Sequence, residues 1–133
     1  MPYTIAGNYG IFWVVLGAVA GIPVTMAATV WGTLAANYSV KLVVRRERPA
    51  PVDAEPLIRL PRSTSFPSSH AAMSTAAALV LVEAHPSLTV LWVVLAATMA
   101  ASRVYVGAHH AADVWAGIGL GAVTGLIAVA VVR

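Results

Sequence analysis

The chain has 133 residues, 59% of them hydrophobic and 10% charged, with a mean hydropathy of +0.83. Soluble domains carry roughly 45–50% apolar and about 25% charged residues, so this composition excludes a disordered chain and disfavours a water-soluble globule. There is no cysteine, which removes disulfides, iron–sulfur clusters and thiol catalysis. The length suits a single domain over 1–133.

Charge placement narrows the class further. Residues 1–40 contain no Asp, Glu, Lys or Arg, and nine of the 13 charged residues fall between Lys41 and Arg62. The others are Glu83, Arg103, Asp113 and Arg133. A charge in hydrocarbon costs several kcal/mol, so a bilayer protein confines its charges to the ends of its spans. The net charge of +3 reads as loop charge facing anionic headgroups. Nucleic-acid binding is disfavoured, because no basic surface can form outside one segment.

A spanning helix needs about 20 mostly apolar residues. Residues 3–44 hold enough for two, and Gly21-Ile22-Pro23 is the only break. We place a first helix at 3–21 and a second at 23–45; one long Pro-kinked helix is the alternative. Ala18-Val19-Ala20 mimics a signal-peptide cleavage site, but no Lys or Arg precedes the apolar run, and we read the segment as retained. Residues 46–67 hold five of the eight prolines and most of the charges, and are expected to form a loop outside the hydrocarbon. A third helix over 68–84 is short and alanine-rich, which suits packing against neighbours rather than lipid. His85-Pro86 makes a turn, a fourth helix spans 87–106, and a fifth, rich in Gly and Ala, spans 109–132. The expected fold is an all-α polytopic membrane bundle of about five transmembrane helices. The end of the second helix, the start of the third, the end of the fourth and the start of the fifth then share one membrane face.

Three polar clusters converge on that face. Lys41 and Arg48 are seven residues apart, close to two helical turns, and should project from one stripe before Pro49 stops the helix. Two cations at the membrane boundary suit a phosphate; taken alone they read more readily as positive-inside anchors. In Phe66-Pro67-Ser68-Ser69-His70, serine at a helix start leaves backbone N–H groups open to an anion, with His70 in the first turn. In the third cluster Arg103 ends one helix, and His109 and Asp113 share a face of the next. A carboxylate bonded to one imidazole nitrogen leaves the other free as a nucleophile or base. His110 is expected to point elsewhere. Three cations, two histidines and a carboxylate at a bilayer edge describe an anion-cleaving site.

These segments resemble the three-part signature of the type-2 phosphatidic-acid phosphatase superfamily: K-x6-R-P, P-S-G-H and S-R-x5-H-x3-D. The counterparts are Lys41 to Arg48-Pro49, Pro67-Ser68-Ser69-His70, and Ser102-Arg103 to His109 and Asp113, within about residues 41–120. Ser69 departs from the pattern, standing where the signature has glycine. Members commonly have six spanning helices against the five expected here. The resemblance implies a multi-pass protein of a bacterial cell (inner) membrane that hydrolyses a lipid monophosphate or diphosphate, polyprenyl or glycerolipid, without metal or organic cofactor. It implies catalysis by His109 as nucleophile, Asp113 as its orienting carboxylate and His70 as proton donor. Lys41, Ser68, Ser69, Arg48 and Arg103 would bind the phosphate.

Three questions stay open in the sequence. A non-catalytic anionic-lipid-binding protein or a histidine-ligated haem or metal protein would use some of the same residues. Arg45, Arg46, Arg59 and Arg62 against Arg133 favour a cytoplasmic site, which would fit a phosphatase of a prenyl-phosphoryl sugar phosphate in cell-wall synthesis, whereas bacterial relatives that recycle undecaprenyl diphosphate look outward. The composition leaves room for a homo-oligomer, but no interface is readable.

Overall fold

The computed structural model describes residues 10–48 and 64–133. The expected helix start at 3–9, and the loop residues 49–63 with Pro49, Arg59 and Arg62, lie outside the described residues. The described elements are α1 (Ile11–Val19), α2 (Pro23–Val44), α3 (Ser69–Ala84), a 3-10 turn (Pro86–Leu88), α4 (Thr89–Tyr105) and α5 (Ala111–Val132).

Glycine and proline set the first boundaries. Gly10 precedes α1 with φ +72°, a conformation no right-handed helix contains, and α1 starts at Ile11. Between α1 and α2, Gly21 takes φ +80° and Pro23 opens the next helix at its first turn, where its missing N–H costs nothing. These are two helices, not one kinked helix.

The alanine-rich α3 is the hub. It contacts α1, α2, α4 and α5, and Ala71, Ala72, Ala76, Ala77 and Leu81 are fully buried. Its closest partner is α5, where Gly117, Gly121 and Gly125 repeat every four residues. A Cβ at Gly117 would lie 2.5 Å from the Ser68 carbonyl oxygen, and one at Gly125 would lie 2.9 Å from the Ala76 Cα. Bare glycine lets the two backbones meet, as in close-packed membrane helices. The Thr33 and Thr124 hydroxyls, 2.8 Å apart, join α2 to α5, and Trp13 Nε1 donates to Ser74 Oγ at 3.2 Å to join α1 to α3.

The outside of the bundle is apolar as well. Val90, Val94, Trp115, Leu126 and Val131 are exposed, which suits lipid rather than water. Pro86–Tyr105, with 20 residues, and Ala111–Val132, with 22, are each long and apolar enough to cross a bilayer.

The two ends of the bundle differ. At one end His85 Nε2 donates to the Ala20 carbonyl at 2.8 Å, and Arg133 forms a two-bond pair with Glu83 at 2.9 and 2.8 Å. The other end carries the Lys41–Arg48, Ser68–His70 and Arg103–Asp113 segments.

Candidate active site

The site is assembled from three helix ends and one extended strap. α2 stops at Val44 because Arg45 turns into the left-handed region (φ 49°). Residues 45–48 then leave the helix, so Lys41 and Arg48 do not share a helical stripe as expected, and Pro49 is not the stop signal. Ser65 holds the strap: its N–H donates to the Arg46 carbonyl at 2.8 Å and its hydroxyl to the Glu47 carbonyl at 2.8 Å. Lys41 still reaches the site, buried, with Nζ donating to the Thr64 carbonyl at 2.7 Å.

The fifth helix begins at Ala111, two residues later than expected, so His109 sits ahead of it rather than on its face. The α4–α5 turn is fixed by the Arg103 carbonyl, which accepts from Ala108 N at 3.1 Å and His109 N at 3.2 Å. Arg48 Nη1 donates to the Ala108 carbonyl at 2.7 Å and lies 3.3 Å from His109 Nε2. A guanidinium only donates, so Nε2 accepts and the ring proton belongs on Nδ1.

His109 is only 5% exposed. Burial lowers its imidazole to about 3, and the Arg48 and Lys41 charges push the same way, against Asp113 and the Ser65 backbone. The ring is therefore neutral near pH 7, with its Nε2 lone pair accepting from Arg48. Burial also pushes the Arg48 guanidinium down, opposed by Asp113.

Asp113 is fully buried (0%) and heavily engaged. Arg46 Nη1 donates to its Oδ1 at 3.2 Å, and His110 N donates to its Oδ2 at 2.9 Å as part of a capping box. His110 Nδ1 is 3.3 Å from that oxygen, so His110 does not point elsewhere: it is the cap of α5 and shares the carboxylate. His109 Nδ1 stands 3.7 Å from Oδ2, just beyond hydrogen-bond length, with no hydrogen-bond partner among the described residues.

Ser68 caps α3: its hydroxyl accepts from Ala71 N at 3.4 Å, and its own N–H donates to the Asp113 carbonyl at 2.9 Å, joining the roots of α3 and α5. Ser69 Oγ donates to Asn37 Oδ1 at 2.7 Å. The Ser69 hydroxyl spends its proton on Asn37, while the Ser68 hydroxyl only accepts here and keeps its own proton to donate to an anion. His70 is half-buried in the first turn of α3. Arg103, 3% exposed, carries an Nε with no hydrogen-bond partner among the described residues. A buried, incompletely bonded guanidinium is a ready seat for an anion. Arg46 and Asn37 escaped the sequence reading. Arg46 is one of three arginines in four residues, and nothing marks it out; Asn37 lies one helical turn before Lys41 in an apolar run and could have been flagged.

A family model of the PAP2 superfamily matches residues 12–133. The chain belongs to this superfamily. It is 35% identical to a decaprenylphosphoryl-5-phosphoribose phosphatase of Mycobacterium tuberculosis, over 91% of this chain and 72% of that one. With the enzyme of the same name from Mycolicibacterium smegmatis it shares 34% identity, over 84% of this chain and 65% of the relative. Among solved structures, a transmembrane PAP2-type phosphatidylglycerolphosphate phosphatase from Bacillus subtilis superposes with a TM-score of 0.70 at 27% identity, over 88% of this chain and 65% of that one. The chain thus spans just under two thirds of that structure. Membership makes this PAP2 protein a membrane-associated phosphatase of phosphorylated lipids, a phosphoric-ester hydrolase.

Proposed function

We propose that this PAP2 protein cleaves the terminal phosphate of a prenyl-phosphoryl sugar phosphate through a phosphohistidine on His109. The contact that carries the mechanism is Arg48 Nη1 at 3.3 Å from His109 Nε2: a phosphate that draws the guanidinium onto its own oxygens would free the one lone pair able to attack phosphorus. Lys41, Arg48, Arg103 and the first backbone N–H groups of α3 would hold the phosphate oxygens. Nε2 forms the N–P bond as the P–O bond to the leaving group breaks, and His70 gives its proton to the departing oxygen. The imidazolium so formed faces the Asp113 carboxylate across 3.7 Å, a gap that shortens as charge develops. Water, losing its proton to His70, then attacks phosphorus, the N–P bond breaks, and inorganic phosphate leaves.

The substrate class rests on the mycobacterial relatives, whose name specifies a prenyl-linked sugar phosphate. We read the five helices as one bundle within a bacterial inner membrane, with α3 sheathed by the others. The active site would face the cytoplasm, where Arg45, Arg46 and Arg48 would obey the positive-inside rule. The deciding experiment measures phosphate release from a panel holding a prenyl-phosphoryl pentose phosphate, a phosphatidylglycerophosphate and a prenyl diphosphate. Preference for the first, with a loss on the order of a thousandfold or more in His109→Ala, is expected. Preference for phosphatidylglycerophosphate would overturn the substrate class, and retained hydrolysis in His109→Ala the mechanism.

A further inference from the structure

Asn37 is a fully buried carboxamide on α2, one helical turn before Lys41. An amide in such a place is costly unless both its ends are bonded. Its Nδ2 donates to the Pro67 carbonyl at 3.3 Å, and its Oδ1 accepts from Ser69 Oγ at 2.7 Å. The chemistry fixes this orientation. The Pro67 carbonyl can only accept, so it takes the amide nitrogen, and the oxygen is left for the Ser69 hydroxyl proton.

Both bonds run from the helix that bears Lys41 to the turn that opens α3. That turn carries His70. One side chain therefore sets the spacing between the helix that bears Lys41 and the start of α3. It also explains how serine is accommodated where the family signature has glycine: the hydroxyl is drawn sideways onto Asn37 instead of standing over the phosphate.

We propose that Asn37 is a positioning residue of the phosphate-holding turn, and that Ser69 acts through it as the second half of one unit. This rests on the phosphatase reading of the same site. The bond between them holds the turn in its anion-accepting shape, and neither side chain touches the phosphate. A small displacement of an anion cradle costs rate more than folding.

The test is a double-mutant cycle in the full chain, solubilised in detergent, with a prenyl-phosphoryl pentose phosphate as substrate. The variants Asn37→Ala, Ser69→Ala and the pair are compared, with Ser69→Thr as the conservative control. Asn37→Ala should lower kcat roughly tenfold or more per folded molecule, with a smaller change in KM. Ser69→Ala should lose less, the double variant should lose no more than Asn37→Ala alone, and Ser69→Thr should stay close to wild type. Additive losses, or losses that vanish once corrected for the folded fraction, would overturn the proposal. If Asn37→Ala does not fold, Ser69→Ala against Ser69→Thr decides: equal rates overturn it, and a loss confined to Ala supports it. An inactive wild type would count against the function assigned above, whereas an active wild type with an unaffected Asn37→Ala counts against this proposal alone.

Discussion

Arg46 and Asp113, 67 positions apart in the chain, form an ion pair of 3.2 Å in which the arginine is 41% exposed and the carboxylate is not exposed at all. Arg46 takes one carboxylate oxygen, and the other is left between two imidazoles. The pair therefore turns Oδ2 toward His109. Arg46→Gln is expected to lower kcat/KM by roughly tenfold without unfolding the protein, because a half-exposed pair contributes little to stability. Asp113→Asn should cost a hundredfold or more, by removing the charge that supports the imidazolium. Steady-state kinetics on the two variants checks the ranking; equal losses would mean that Arg46 does more than orient.

Acid stability should depend on His109. Its folded value of about 3 lies below the ordinary 6.5, so in that window the unfolded chain binds a proton that the folded chain refuses. Stability is unaffected above pH 6.5 and falls as the pH drops toward 3, by up to about 1.4 kcal/mol per pH unit from this residue. Thermal midpoints in detergent, wild type against His109→Gln, should diverge from pH 7 to pH 5, with the variant losing less. Parallel curves would mean that His109 takes up its proton as readily in the folded as in the unfolded chain.

The glycine face of α5 should tolerate no side chain. A Cβ at Gly121 would strike the Ala72 carbonyl oxygen, whereas at Gly119 nothing lies within 4 Å. Gly121→Val should cost about 1–3 kcal/mol or prevent assembly. Gly119→Ala should be neutral or stabilising by up to about 1 kcal/mol, since alanine is the better helix former. Thermal midpoints of the two variants give the comparison.

The site's membrane side is open to a direct measurement, because the chain has no native cysteine to label. Glu47 is exposed on the strap beside the site, and replacing it leaves every arginine in place. Glu47→Cys should resist an impermeant maleimide in sealed cells and react in inverted vesicles. Labelling in sealed cells would put the site outside.

Much of this arrangement was legible in the sequence. The polar clusters stand out because the rest of the chain is so apolar, and helix counting alone brings their ends to one face. Boundaries that depend on a single backbone angle were not legible: Arg45 entering the left-handed region ends α2 ahead of Pro49, and no residue preference announces it. The roles of His110 and Arg46 were equally hidden. Both depend on which atoms meet the two oxygens of Asp113, and spacing along a helix carries no information about the residues that precede it.

The hydrogen bond from Ser68 N to the Asp113 carbonyl has one more consequence. It fastens the nucleophile's neighbourhood and the anion-holding turn together at their base, over helices whose glycines leave no slack between them. A change that displaces one of these two segments therefore carries the other with it.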